Sequence, residues 1–175
     1  WCWGDGKAGQ LGNGSLTSTE IPTQVVDLGG PIQHIAAGRL FTCGLRIDGQ
    51  VLCWGKSAYG ALGSDVQTTF QTPFVRKDLG SENAFLFASH DQLCVQRRDG
   101  KLVCMGVIGI AEQRLTASTP ILIDNIPNEL AAVAMGARDT CTLSKGGLVH
   151  CFGETPRAMK LPDEPNPPPG AQPIF

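Results

Sequence analysis

The apolar positions of this chain gather into short runs separated by glycine-rich polar stretches. "QVLCWG" (50–55) and "KLVCMG" (101–106) are largely apolar rather than cleanly alternating, as expected of strands covered on both faces. "QHIAAG", "AFLFAS" and "AAVAMG" each stand a few residues ahead of a cysteine. One stretch pulls the other way: "PNELAAVAMGARDT" spaces Ala, Leu and Met permissively enough for a short helix. It aligns with "PIQHIAAGRLFT", and that alignment assigns it to a strand. No apolar run approaches the roughly 20 residues of a membrane-spanning helix.

The cysteines give these runs a period. They fall at 2, 43, 53, 94, 104, 141 and 151. Cys43 to Cys53, Cys94 to Cys104 and Cys141 to Cys151 are each 10 apart, in "CGLRIDGQVLC", "CVQRRDGKLVC" and "CTLSKGGLVHC". Cys2, Cys53, Cys104 and Cys151 open "CWG", "CWG", "CMG" and "CFG", at steps of 51, 51 and 47. Pro22, Pro73 and Pro120 keep the same beat, and "GDGKAGQLGNGS" reappears as "GKSAYGALGSDV". Cys2 is then the second cysteine of a pair whose first member would precede Trp1.

Gly49, Gly100 and Gly147 each follow the first cysteine of a pair by six residues. A three-residue hairpin loop closed by a left-handed residue needs glycine at its third place. With Ile47-Asp48-Gly49 in that loop, Arg46 opposes Gln50, Leu45 opposes Val51 and Cys43 opposes Cys53. The cysteines form a non-hydrogen-bonded pair with Cα atoms about 4.5 Å apart, within disulfide reach. The same count sets Cys94 against Cys104 and Cys141 against Cys151. Reduced, buried cysteines are the alternative. Zinc is disfavoured because the close ligand pairs it prefers are missing, and His34, His90 and His150 share no repeat position. Disulfides point to an extracellular, periplasmic or cell-surface setting.

Composition narrows the picture further. The 175 residues are 42% hydrophobic and only 17% charged, with 22 glycines, which suits an all-β chain with many tight turns. The net charge of −2 provides no basic field for nucleic acid or an anionic membrane. Asn13 in "NGS" fits a glycosylation acceptor. Six of the twelve prolines lie in the last 15 residues, so 154–175 reads as a Pro-rich tail.

A period near 50 with a glycine-turned hairpin and a Gly-rich loop reads as one propeller blade per repeat. Units are cut at 1–38 (partial), 39–89, 90–136 and 137–153 (partial). Trp3, Trp54, Met105 and Phe152 share one repeat position and are expected in the core between blades. "AAGRLFTCGLRIDGQVLCWGKSAYGALGS" resembles the regulator-of-chromosome-condensation repeat, with its "AAG", "DGxVxCWG" and "GQLG" elements. The likeness is strong over 1–64, moderate over 84–106, where "VIGIAEQRLTA" has lost the "GQLG" loop, and weaker over 131–153. The resemblance implies a seven-bladed β-propeller, of which this chain would supply three to four blades of an incomplete ring, with upstream blades expected beyond residue 1.

No G-x-S-x-G elbow, phosphate loop or H-E-x-x-H motif occurs, and neither cofactor nor metal is expected. The leading expectation is a non-enzymatic module of an exported or surface protein that binds a protein on a propeller face. Its candidate contacts are Asp5, Lys7, Gln10 and Asn13 in one loop and Arg97, Arg98 and Lys101 on a hairpin tip. The resemblance also carries the alternative of nucleotide exchange on a small GTPase in the cytoplasm or nucleus. No long insertion in a repeat suggests a wedge for that task.

Overall fold

The computed structural model describes residues 1–63, 68–110, 113–124, 126, 129–137 and 139–153. Among the described residues thirteen strands build four antiparallel sheets. The first sheet has two strands, β1 (Cys2–Gly4) and β2 (Thr19–Thr23). The second runs in order through β3 (Ile32–Ala37), β4 (Phe41–Arg46), β5 (Val51–Lys56) and β6 (Thr69–Val75). The third repeats that meander with β7 (Asn83–Ser89), β8 (Gln92–Arg97), β9 (Leu102–Ile110) and β10 (Gln113–Leu122). The last has β11 (Leu130–Met135), β12 (Asp139–Ser144) and β13 (Val149–Gly153). Each sheet is one blade or part of one. β11 holds the "AAVAM" stretch, so the repeat alignment outweighs its helical spacing.

Sequence units cut at 39, 90 and 137 fall between the first and second strands of a sheet. Repeat and blade are therefore offset by one strand. "VIGIAEQRLTA" is where β9 and β10 pair on past the repeat, Ile110 opposite Gln113. A lengthened hairpin stands in place of the lost loop.

The hairpin turns follow the glycine count. Arg46 N–H donates to the Gln50 carbonyl and Gly49 N–H to the Arg46 carbonyl, each at 2.9 Å, with Gly49 at φ +84°. Cys43 stands opposite Cys53, Cys94 opposite Cys104 and Cys141 opposite Cys151. Disulfides join all three pairs, with Cα separations of 4.1, 4.1 and 4.0 Å. Cys2 carries a free thiol.

The core lies between blades. The cysteine face of the second sheet (Phe41, Cys43, Leu45, Val51, Cys53) packs on Leu86, Leu93, Val95, Val103 and Met105 of the third. The third sheet's cysteine face, with Cys94, Leu102 and Cys104, meets Met135 and Phe152 of the last. Packing on both sides leaves the middle strands of the second and third sheets, β4, β5, β8 and β9, almost no solvent face, hence their near-continuous apolar runs.

The bulky position after each second cysteine behaves unevenly. Trp54 and Met105 are fully buried and Phe152 is half-buried against the third sheet. Trp3 departs from the expectation and is 62% exposed. Its equivalent, Trp54, is covered by the Gln10–Gly12 loop of the preceding sheet, and among the described residues no such loop covers Trp3.

Candidate functional site: two loop rims

Strand direction sorts the connections onto two rims. On one stand the glycine-rich loops and the turns between first and second strands, tied by Lys56 N–H to the Leu40 carbonyl (2.8 Å) and Val107 N–H to the Asp91 carbonyl (2.9 Å). On the other stand the hairpin tips and the connections between blades. They are tied by Ile47 N–H to Pro31 carbonyl (3.2 Å), Arg98 N–H to Glu82 carbonyl (2.9 Å) and Lys145 N–H to Glu129 carbonyl (2.9 Å). The seven candidate contact residues do not form one site. Asp5, Lys7, Gln10 and Asn13 lie on the glycine-loop rim, and Arg97, Arg98 and Lys101 on the hairpin-tip rim.

The glycine-loop rim is preorganised. Asp5 accepts hydrogen bonds from Lys7 N–H (3.2 Å), Ser18 Oγ (2.9 Å) and Gln10 Nε2 (3.4 Å). The Lys7 N–H, followed by the Ser18 hydroxyl, holds this carboxyl below the usual range. Asn13 Oδ1 accepts from Ser15 N–H at 3.1 Å, an Asx turn. The Gln10 carbonyl accepts both Thr42 Oγ (3.0 Å) and Trp54 Nε1 (2.8 Å), so the loop of one blade is pinned onto the next. Lys7 is left exposed.

The same rim carries a cluster that sequence reasoning missed. Arg39 Nη2 donates to both Asp91 oxygens at 3.2 and 3.3 Å, His90 Nδ1 lies 3.2 Å from Asp91, and Arg39 N–H donates to the His90 carbonyl at 2.8 Å. These residues bridge the second and third blades, with Arg39 and His90 half-exposed. His90 at φ +34° and Tyr59, exposed at φ +56°, hold left-handed backbone on this rim. Arg39 and His90 share one repeat position, directly after Gly38 and Ser89; comparing that position between repeats was the available signal.

The hairpin-tip rim is electrically quieter than its sequence suggests. Lys101 Nζ lies 3.1 Å from Asp99, and Arg98 lies 4.0 Å from Glu82. Asp99 is held below the usual carboxyl range by the Lys101 N–H first and the Lys101 side chain second. Arg97 is half-buried, and its Nε finds no acceptor among the described residues. Asn83 Nδ2 fastens the neighbouring tip, donating to the Gly49 carbonyl at 2.9 Å.

No group of three His, Cys, Asp or Glu residues with metal-ligand geometry occurs among the described residues. His34 packs edge-on to Phe85 and Phe87, and His150 lies on β13. No described helix is long and apolar enough to cross a membrane. Ser64 and the tail from 154 to 175 lie outside the described residues.

A family model described as "Regulator of chromosome condensation (RCC1) repeat" matches residues 1–45, and a second of the same description matches residues 32–61. Residues 1–61 thus carry the sequence pattern of regulator of chromosome condensation repeats. The matches cover the stretch where the motif is most complete, and sheets of the same build continue beyond it. Prp20p from Saccharomyces cerevisiae superposes with a TM-score of 0.73 over 87% of this chain and 40% of that one, at 24% identity. Human WBSCR16 gives 0.72 over 86% and 41%, at 20% identity. Both show the fold: a β-propeller, of which this chain forms an incomplete ring. Among curated proteins, human alsin is 40% identical over 85 residues, 47% of this chain and 5% of alsin. The human "Probable E3 ubiquitin-protein ligase HERC4" is 27% identical over 115 residues, 64% of this chain and 11% of that protein. The chain thus spans a small part of the curated relatives it matches.

Proposed function

We propose that these RCC1-type blades serve as a non-enzymatic protein-binding module of an exported or cell-surface protein, with the partner seated on the glycine-loop rim. The observation that carries this reading is the preorganisation of that rim. Gln10 pins one loop to the next blade, Asp91 joins two blades through Arg39, and Lys7, Tyr59, Arg39 and His90 stand exposed on rigid supports. Rigid loops presenting Arg and Tyr suit protein recognition because little side-chain freedom is lost on docking. The setting is supported by three cross-strand disulfides, which persist where thiols are oxidised.

The rim is tested with paired charge reversals. A variant with Lys7→Glu and Arg39→Glu should lose a captured partner by at least about tenfold in Kd. A variant with Arg98→Glu and Lys101→Glu should bind within about twofold of the parent. Equal loss in both, or loss only in the second, would reject the glycine-loop rim. The exchange-factor alternative is decided separately: the chain should leave the release of fluorescent GDP from small GTPases unchanged, and acceleration would displace the binding-module reading.

A further inference from the structure

Two equivalent arginines on the hairpin-tip rim are used differently. Arg46 and Arg97 each follow the first cysteine of a pair by three residues, and Asp48 and Asp99 follow it by five. In the second blade Arg46 closes on Asp48, donating through Nε at 3.2 Å and also through Nη2. The third blade breaks that pairing. Lys101 stands where the second blade has Gln50, and its ammonium takes Asp99 at 3.1 Å. The charge of Arg97 ranks last among the influences on Asp99. Arg97 Nε is buried without an acceptor, and no described carboxylate pairs with its guanidinium.

Strand alternation turns that side chain toward the second blade. Leu93 and Val95 of β8 pack against the cysteine face of the second sheet, and Arg97 follows on the same side. There it lines a cavity of about 310 Å³ whose other wall is residues 77–82, the connection from the second blade to the third. The carboxylates of that wall are already engaged. Asp78 holds the Arg76 guanidinium at 3.0 and 2.7 Å, and Glu82 faces Arg98 at 4.0 Å. Lys77 has no carboxylate partner among the described residues. The cavity thus carries two cations, Lys77 and Arg97, that the surrounding acids leave unneutralised.

We propose that this cavity between the second and third blades binds a tetrahedral oxyanion, a sulfate or phosphate group, with Arg97 and Lys77 as its ligands. An arginine fork offers parallel N–H donors to two oxygens of such a group, and a lysine ammonium adds a point charge from the facing wall. Two unneutralised charges match a divalent anion better than a carboxylate, which brings one charge and two oxygens. Lys77, Gly80 and Ser81 are exposed at the mouth, so the group can be carried as an ester on a larger molecule. The site lies on the rim opposite the proposed partner surface, goes beyond that reading and does not depend on it.

The test titrates the 175-residue chain with sodium sulfate and with sodium phosphate at constant ionic strength, reading backbone amide shifts by NMR. Both anions should give saturable shifts confined to residues 77–82 and 96–98, and acetate should bind at least about fivefold more weakly. Arg97→Gln should weaken sulfate binding at least about tenfold. Arg46→Gln removes the same charge at the equivalent position and should stay within about twofold of the parent. Glu82→Gln should tighten binding about twofold or more, a gain that misfolding cannot imitate. Tighter sulfate than phosphate supports the site and names a sulfate ester as its ligand; the reverse order names a phosphate ester. Shifts that never saturate, acetate binding as tight as sulfate, equal loss in the two arginine variants, or weaker binding in Glu82→Gln overturns the proposal.

Discussion

Gly49 and Gly147 occupy the same turn position with nearly the same backbone, φ +84° and +85°, but in different surroundings. A methyl group on Gly49 would lie 1.8 Å from the Ser81 carbonyl oxygen, whereas on Gly147 it would meet nothing within 4 Å. Gly147→Ala should therefore cost only the left-handed penalty of about 1–2 kcal/mol. Gly49→Ala should cost more than about 3 kcal/mol, because backbone must also move. Urea unfolding of the two variants checks the difference. The sequence identified both turns through the six-residue offset from the cysteine. It did not reveal that one tip rests on the connection to the next blade, since that contact joins residues 32 apart. Arg76 is a second case. It is buried, with its guanidinium on Asp78 (3.0 and 2.7 Å) and the Ala61 carbonyl (3.1 Å), one residue past the end of β6, where the third blade places Ile123 one residue past β10. Burial raises the Asp78 carboxyl, but the hydrogen bonds and charge of Arg76 outweigh it and hold the carboxyl below its usual range. A lowered folded value means the pair's contribution is complete above the unfolded value of about 3.9 and fades as pH falls through the folded one. Asp78→Asn should cost about 1–3 kcal/mol at pH 7 and flatten the acid limb of Tm below about pH 4. Parallel acid limbs in the two proteins would reject the pair as a source of stability.

At the scale of the hairpin, the three disulfides share one geometry and differ in shelter. Cys43, Cys53, Cys94 and Cys104 are completely buried between blades, whereas Cys151 is exposed and Cys141 half-buried on an uncovered face. Reductant should open the 141–151 bond first, in the folded state, and the other two only through local opening of a blade junction. Timed alkylation with mass analysis reads the order; simultaneous loss of all three would contradict it. Cys2 should alkylate slowly at neutral pH, because burial raises its thiol. The pairing was legible from the sequence, because hairpin register is local arithmetic around a glycine. Shelter was not, because it depends on which blade follows, and the same apolar alternation "LSKGGLV" would serve a covered or an uncovered face. The long β9–β10 pairing was hidden for a related reason: "VIGIAEQRLTA" lost its loop motif without gaining a turn signal strong enough to mark a hairpin.

Across the whole molecule, stability rests on contacts between successive blades, and Trp54 marks one such junction. Its indole N–H reaches the Gln10 carbonyl 44 residues earlier, and its ring fills the space beside Gly12. Trp54→Phe should cost about 1–3 kcal/mol through the lost hydrogen bond and the unfilled volume. Trp3→Phe, at the equivalent but exposed position, should stay within about 0.5 kcal/mol. Denaturant midpoints of the two variants separate junction packing from mere repetition of a motif. The repeat period disclosed the propeller but also suggested that equivalent residues have equivalent roles, and Trp3 shows where that fails. The scattering of candidate contacts over two rims has the same origin: a loop and a hairpin tip adjacent in a repeat diagram project from opposite ends of a blade.

The covalent map has a mechanical consequence. Every disulfide closes a lasso inside one blade, and none crosses a junction. Pulled from its two ends, the chain would come apart blade by blade, and each lasso would keep 10 residues from paying out. In each bridged blade about 34 Å of extended chain, at ~3.4 Å per residue, is replaced by the 4.1 Å between the linked Cα atoms, so the contour released is about 30 Å shorter oxidised than reduced. The cross-links leave the rupture force of a junction untouched and shorten the length that follows it. Force on such an array would be met by packing between blades, with the bridges limiting how much thread each failure yields.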